Sequence, residues 1–213
     1  MKLTGRTTLH VFYASLAALA AAIVAFAVFR PITVLPRSTI TPGFSLTDST
    51  GRPISSESLR GRVVLFSFAN ERCAAACAAH QAATRELVLR MSAQPSEPPI
   101  AFVTVRVDGR VADAAPPPTL SAGREWHVLT GDAAALKRVA GAGFGVYYDA
   151  EKIEPALVLV DGWGIRRAEY RMPQPSVDVI ERDLGLLLNE IRNSTGMARY
   201  AYEAAHLFLC YPT

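Results

Sequence analysis

Nineteen residues in a row, 11–29, carry no charge and are broken in polarity only by Tyr13 and Ser15. A run of that length meets the ~20 residues a helix needs to cross a bilayer core. It exceeds the ~7–15-residue apolar stretch of a cleaved signal, and Arg30 and Pro31 stand where small residues would mark a cleavage site. The pattern therefore predicts a transmembrane anchor over residues 1–30. Lys2 and Arg6 before the run are nearly balanced by Arg30 and Arg37 after it, so charge leaves its orientation open.

Beyond the anchor the pattern changes. Residues 31–42 hold three prolines and no periodicity, as a linker would. Phe44, Ser45, Leu46, Thr47 and Asp48 alternate apolar and polar, and a Ser-Thr-Gly turn leads back to Pro53 and Ile54, which predicts a short hairpin. Residues 63–68 are apolar almost throughout, as in a strand covered on both faces. Helix formers fill 74–89, and further strands are predicted over 100–107, 126–129, 156–160 and 165–170. Asp132 can cap a helix over 133–140, and Asp161-Gly162 supplies the turn between the last two strands. Residues 175–191 form an amphipathic helix with Val177, Ile180, Leu184, Leu187, Leu188 and Ile191 on one face.

Strands alternating with helices, then a hairpin and a last helix, predict an α/β domain with a mixed central sheet flanked by helices. The chain divides into an anchor (1–30), a linker (31–42), a domain (43–192) and a tail (193–213). In the tail, Met197, Tyr200, Ala201, Ala204, Leu207, Phe208 and Tyr211 fall on one helical face, opposed by Arg199, Glu203 and His206. That stripe needs burial, against its own domain, a membrane partner or the lipid surface.

Composition narrows the function. The 213 residues suffice for one domain with a proper core. Basic and acidic residues, 22 against 19, are too even for a nucleic-acid footprint, and no basic cluster with interleaved aromatics exists. Three cysteines are too few for a disulfide scaffold, and only Cys73 and Cys77 are neighbours. They sit where a predicted strand ends and a helix begins, the edge at which α/β sheets place ligand sites. A helix N-terminus favours the thiolate, the reactive and metal-binding form. One helical turn apart, the two can close a disulfide or hold one soft ion such as Cu(I), whereas zinc would want four ligands. Packing as two small residues in an Ala-rich helix start is the alternative. Cys210, Trp126 and Trp163 read as packing or turn residues.

The segments Phe44-Ser45-Leu46-Thr47-Asp48, Leu59-Arg60-Gly61-Arg62-Val63-Val64-Leu65, Cys73 to Cys77, Leu129-Thr130-Gly131, Phe144-Gly145-Val146 and Leu159-Val160-Asp161-Gly162 resemble the thioredoxin-like Sco/SenC family. The resemblance covers about residues 42–192, and the three-residue cysteine spacing is its most specific element. It implies a thioredoxin-like fold and a protein that helps to assemble the copper centre of a cytochrome oxidase. It also implies an N-terminus inside and a domain outside, in the periplasm of a bacterial inner membrane or the mitochondrial intermembrane space.

The departures matter as well. The histidine that completes the family's Cys-Cys-His copper site falls at Ile153, beside Glu154, and a carboxylate is a poor substitute toward a soft ion. Pro155 resembles the proline that packs against the redox cysteines in thioredoxins, where its peptide bond is cis. Residues 108–123, Ala/Pro-rich, replace the family's acidic loop and helix. Among the histidines, His10 lies at the membrane edge, His127 in a strand and His206 in the tail. His80 follows Cys73 and Cys77 at i, i+4, i+7 spacing and is the candidate third ligand, although a solvent-facing helix residue is the simpler expectation.

Three functions compete on these grounds. One is copper-centre assembly through Cys73 and Cys77. The second is a non-enzymatic accessory subunit of a membrane respiratory complex with a degenerate metal site. The third is a membrane-tethered thiol-disulfide reductase, the enzymatic alternative.

Overall fold

The computed structural model describes residues 5–29, 32–70, 74–91, 96–109, 120, 123–149, 153–171 and 173–208. Its first element, α1 (Gly5–Phe29), is the predicted apolar helix, and its stretch Thr7–Phe26 is long and apolar enough to span a bilayer, with none of it buried. The hairpin follows as β1 (Ser45–Asp48) and β2 (Pro53–Ser55), and a 3-10 turn, Glu57–Leu59, leads into β3 (Val63–Ala69). Next come α2 (Ala74–Met91), β4 (Ile100–Arg106) and β5 (Arg124–Thr130).

Asp132 caps α3 (Ala133–Leu136) by accepting the Ala135 N–H, as the sequence predicts. Instead of continuing as α-helix to residue 140, the segment widens into a π-helical turn, Lys137–Gly143. Two glycines within it, Gly141 and Gly143, weaken the tighter helical alternative. The chain closes with β6 (Leu157–Val160), β7 (Arg166–Tyr170), α4 (Val177–Asn193) and α5 (Ala198–Phe208).

The seven strands form one mixed sheet in the order β2-β1-β5-β4-β3-β6-β7. The central β3, β4 and β5 run parallel, and β6 joins β3 antiparallel, pairing Val64 with Val160 and Ser67 with Leu157. All seven residues of β3 and of β4 are buried, which explains their unbroken apolar runs. One face, with Val64, Phe66, Phe68, Val103 and Val158, packs against Leu136, Val139, Ala140 and Phe144. The other, with Val63, Leu65, Phe102 and Leu159, packs against Leu87 and Val88 of α2 and Ile180, Leu184 and Leu187 of α4. The predicted α/β thioredoxin-like architecture with helices on both faces is therefore present.

Several local expectations are corrected. The β6–β7 turn is longer than Asp161-Gly162: Asp161 Oδ1 accepts the Trp163 and Ile165 N–H groups, and the left-handed residue is Gly164, at φ 80°. The supposed linker is packed. Val34 and Leu35 are fully buried, and Ser38 and Thr41 donate backbone N–H groups to Arg166 and Gly164. Its prolines hold it extended, so it lies along the β7 edge. Glu154–Pro155 is not cis; among the described residues the one cis peptide is Glu97–Pro98. The Glu154 N–H donates to Tyr147 O, and the ordinary trans bond carries the chain directly into β6.

The tail helix α5 folds back on the domain, but through the face opposite to the expected one. Tyr202 and Ala205 are buried with Val34, and Phe26 of α1 and Ile32 pack against them. Met197, Tyr200 and Leu207 are exposed. His206, on the inward side, contacts Glu190 at 2.9 Å, and the exposed Glu203 pairs with Arg37 at 3.0 Å at the edge of the contact.

Candidate functional site

The cysteine motif falls where β3 ends. Ala69 is in register with Arg106 of β4 and its carbonyl accepts the Val107 N–H, and α2 begins at Ala74. Cys73 and Cys210 lie outside the described residues. Cys77, in the first turn of α2, is disulfide-bonded, and its Sγ sits 4.0 Å from the Phe68 carbonyl oxygen. It is buried and joins the cluster of Phe68, Ala69, Val107, Val146, Ile153 and Ala156. The sulfur thus sits at the N-terminal end of an 18-residue helix, within the apolar core.

Ile153, the position where a histidine ligand was sought, is buried in this same cluster and bridges Tyr148. The topology thus places the position in the same buried cluster as Cys77, while the residue supplies only hydrocarbon. Glu154 is exposed and Pro155 half-buried.

His80 corrects the simpler expectation: at 1% exposure it faces inward, one turn after Cys77. The Thr84 hydroxyl donates to its carbonyl, tying that turn of α2. His127 bonds Glu125 within β5 at 3.1 Å, His206 bonds Glu190, and His10 is exposed on α1. Among the described residues no group of three or more His, Cys, Asp or Glu is arranged to hold a metal ion. Trp126 packs on Phe102 and donates to Thr104, whereas Trp163 stands exposed on its turn rather than packing in the core.

Arg106 is the fixed cation in register with Ala69, and Asp108 neutralises it with contacts of 2.8 and 3.1 Å. Beside it opens a cavity of about 620 Å³ lined by Val107, Ala133, Lys137, Gly141, Gly145, Val146, Tyr147 and Tyr148. Val107 and Val146 belong to the Cys77 cluster, so the cavity borders the cysteine site. Gly141, Gly145 and the Tyr147-Tyr148 pair were the only signals of it in the sequence.

The opposite end of the sheet carries a charge cluster that sequence reading missed. Arg167, fully buried, bonds Asp161 at 3.1 Å, Glu190 at 2.6 Å and the carbonyls of Leu35 and Pro36. Burial pushes the Glu190 pKa upward, but hydrogen bonds from His206 and Arg167 outweigh it and leave that pKa at about 2. The cluster ties the segment before the hairpin to the consecutive elements β6, β7, α4 and α5, a structural rather than a chemical role.

The SCO1/SenC family model matches residues 33–161. No curated protein matches the sequence. Three solved structures share the fold. BsSco, described as a member of the Sco family of cytochrome c oxidase assembly proteins with a disulfide switch, is 19% identical at a TM-score of 0.57, covering 73% of this chain and 98% of its own. Arabidopsis thaliana ScoI with copper bound is 20% identical at 0.53, covering 72% and 99%. A thioredoxin domain of a thiol-disulfide oxidoreductase from Bacteroides vulgatus is 15% identical at 0.52, covering 72% and 99%. The matched stretch spans more than half of the chain and contains both cysteines of the motif and Ile153, and on that ground the chain belongs to the SCO1/SenC family.

Proposed function

We propose that this protein assists the assembly of a respiratory oxidase's copper centre from the outer face of a membrane, with Cys73 and Cys77 as its working pair. The observation that carries the reading is the disulfide-bonded Cys77 in the first turn of α2, in a chain of the SCO1/SenC family. BsSco, an oxidase assembly protein, and a copper-bound ScoI share the fold and support it. Helix α1 supports the anchor, since Thr7–Phe26 at 1.5 Å per residue reaches ~30 Å. The domain then lies on the periplasmic side, or its mitochondrial equivalent, where disulfides persist.

Before it can carry copper the disulfide must open. Two thiols of a donor supply two electrons and two protons, giving a dithiol and the donor's disulfide. Cu(I) is the cargo: two thiolates hold it, two protons leave, and a recipient takes the ion by ligand exchange. His80, buried on the same helix, is the candidate third ligand. Anaerobic Cu(I) titration of the full chain in detergent tests the reading. One equivalent bound by the reduced protein, lost in Cys73→Ser and in Cys77→Ser, is expected; no binding by the reduced wild type overturns copper delivery.

Thiol-disulfide exchange without copper is the second reading, and the apolar Ile153, in the same buried cluster as Cys77, favours it. Reduction of an oxidised dithiol substrate by the protein, with no Cu(I) binding, is its signature.

A further inference from the structure

The exposed stripe of α5 is the unassigned feature that the fold carries furthest. Met197, in the turn just before α5, and Tyr200 and Leu207 within it are 83%, 66% and 78% exposed, at i, i+3 and i+10. Such large side chains in water along one helix call for a partner surface. The chain indicates which one. The buried side of α5, through Tyr202 and Ala205, packs with Phe26 in the last turns of α1. The helix therefore lies where the apolar span ends, at the level of lipid headgroups. The Arg199 guanidinium stands 6.0 Å from the centre of the Tyr200 ring, and tyrosine is one of the residues enriched at membrane–water interfaces. Trp163, exposed on the β6–β7 turn, lines a cavity of about 900 Å³ together with Arg199 and Glu203 of α5, so it belongs to the same end of the domain.

We infer that α5 lies on the bilayer surface with Met197, Tyr200 and Leu207 inserted at the headgroup and acyl boundary, and with Trp163 as a second foot. A helix with one apolar face, an adjacent cation and an aromatic side chain binds membranes in this way. The inference rests on α1 being a membrane anchor. It sets the domain's orientation: Trp163 follows β6 at the end of the sheet where Val64 pairs with Val160, whereas Cys77 sits beyond the Ala69 end of β3. Seven β residues separate those ends by ~20 Å. The cysteine pair is thus held away from the lipid and open to a large partner.

The test uses the full chain reconstituted in phosphatidylcholine vesicles containing phosphatidylglycerol. Trp126→Phe and Trp163→Phe remove the native indoles; Tyr200→Trp then reports on α5 and, in a separate chain, Leu19→Trp reports on α1. Lipids brominated at a shallow acyl position are expected to quench the α5 reporter about twofold or more, and deeply brominated lipids the α1 reporter. A quenched α1 reporter with an unquenched α5 reporter overturns the inference and leaves the anchor intact. An unquenched α1 reporter overturns the anchor itself. Shielding of α5 only when vesicles are crowded with protein assigns the stripe to a second copy and also overturns the inference. Changing Met197, Tyr200 and Leu207 together to Glu touches no buried contact, so the variant folds; with Trp126→Phe in both chains, native Trp163 is expected to lose at least half of its quenching relative to the chain with the stripe intact.

Discussion

Ile153 lies in the same buried cluster as Cys77, although β4, β5 and two helical segments separate them in the chain. One side of the cysteine site is thereby closed with hydrocarbon. Ile153→His puts an imidazole where none reaches now. We expect Cu(I) affinity to rise tenfold or more, equivalent to about 1.4 kcal/mol, while stability falls by about 1–3 kcal/mol from burying a polar ring. Competitive Cu(I) titration and denaturant unfolding check both; Ile153→Ala should lose stability and gain no affinity.

His80 faces the interior of α2's packing. Its replacement by Ala therefore removes a buried side chain as well as a candidate ligand, at a cost of about 1–3 kcal/mol. If His80 holds the ion, Cu(I) affinity falls more than tenfold in a chain that remains folded by circular dichroism. Unchanged affinity would remove it from the site.

Arg167 holds Asp161, Glu190 and two carbonyls of the segment that precedes the hairpin. Arg167→Ala leaves the buried Asp161 without its cation and Glu190 with only Arg37 at 3.5 Å and His206, and we expect a loss of about 3–5 kcal/mol. Urea unfolding of the full chain in detergent measures it. Increased proteolytic cleavage near residues 35–41 should accompany the loss, because that segment is tied to the domain partly through Arg167.

Glu190 sets an acid limit. Its folded pKa, about 2, lies below the ordinary 4.5. The unfolded chain therefore binds the proton more readily than the folded one, and stability rises with pH across this window. The contribution, on the order of 3 kcal/mol, is complete above the unfolded value and is lost as pH falls through about 2. Denaturant midpoints measured from pH 2 to 6 should show this slope, and Glu190→Gln should flatten it while lowering stability near neutrality.

The strands β3 and β4, the helices α2 and α4 and the apolar α1 were readable because local periodicity records which faces a backbone element buries. For the candidate site, the sequence places the Cys73 and Cys77 spacing at a strand-to-helix junction, and the structure describes Cys77 in the first turn of α2. Less visible were the inward turn of His80 and the cavity beside Lys137 and Tyr148, since each depends on which neighbour the sheet order supplies.

By itself, then, the sequence determined the α/β class, the apolar N-terminal helix, the two cysteines and the apolar residue at position 153. Those are properties of composition, spacing and short-range pattern. Tertiary structure decided the rest: the packing of residues 34–41 along β7, the Arg167 cluster and the face that α5 presents. The tail shows why. Both of its faces hold apolar residues, so hydrophobicity alone favours neither; the assembled fold buries Tyr202 and Ala205 with Val34, sets His206 against Glu190 and leaves Tyr200 exposed. A buried ion pair is a relationship between elements, and it exists only once they are assembled.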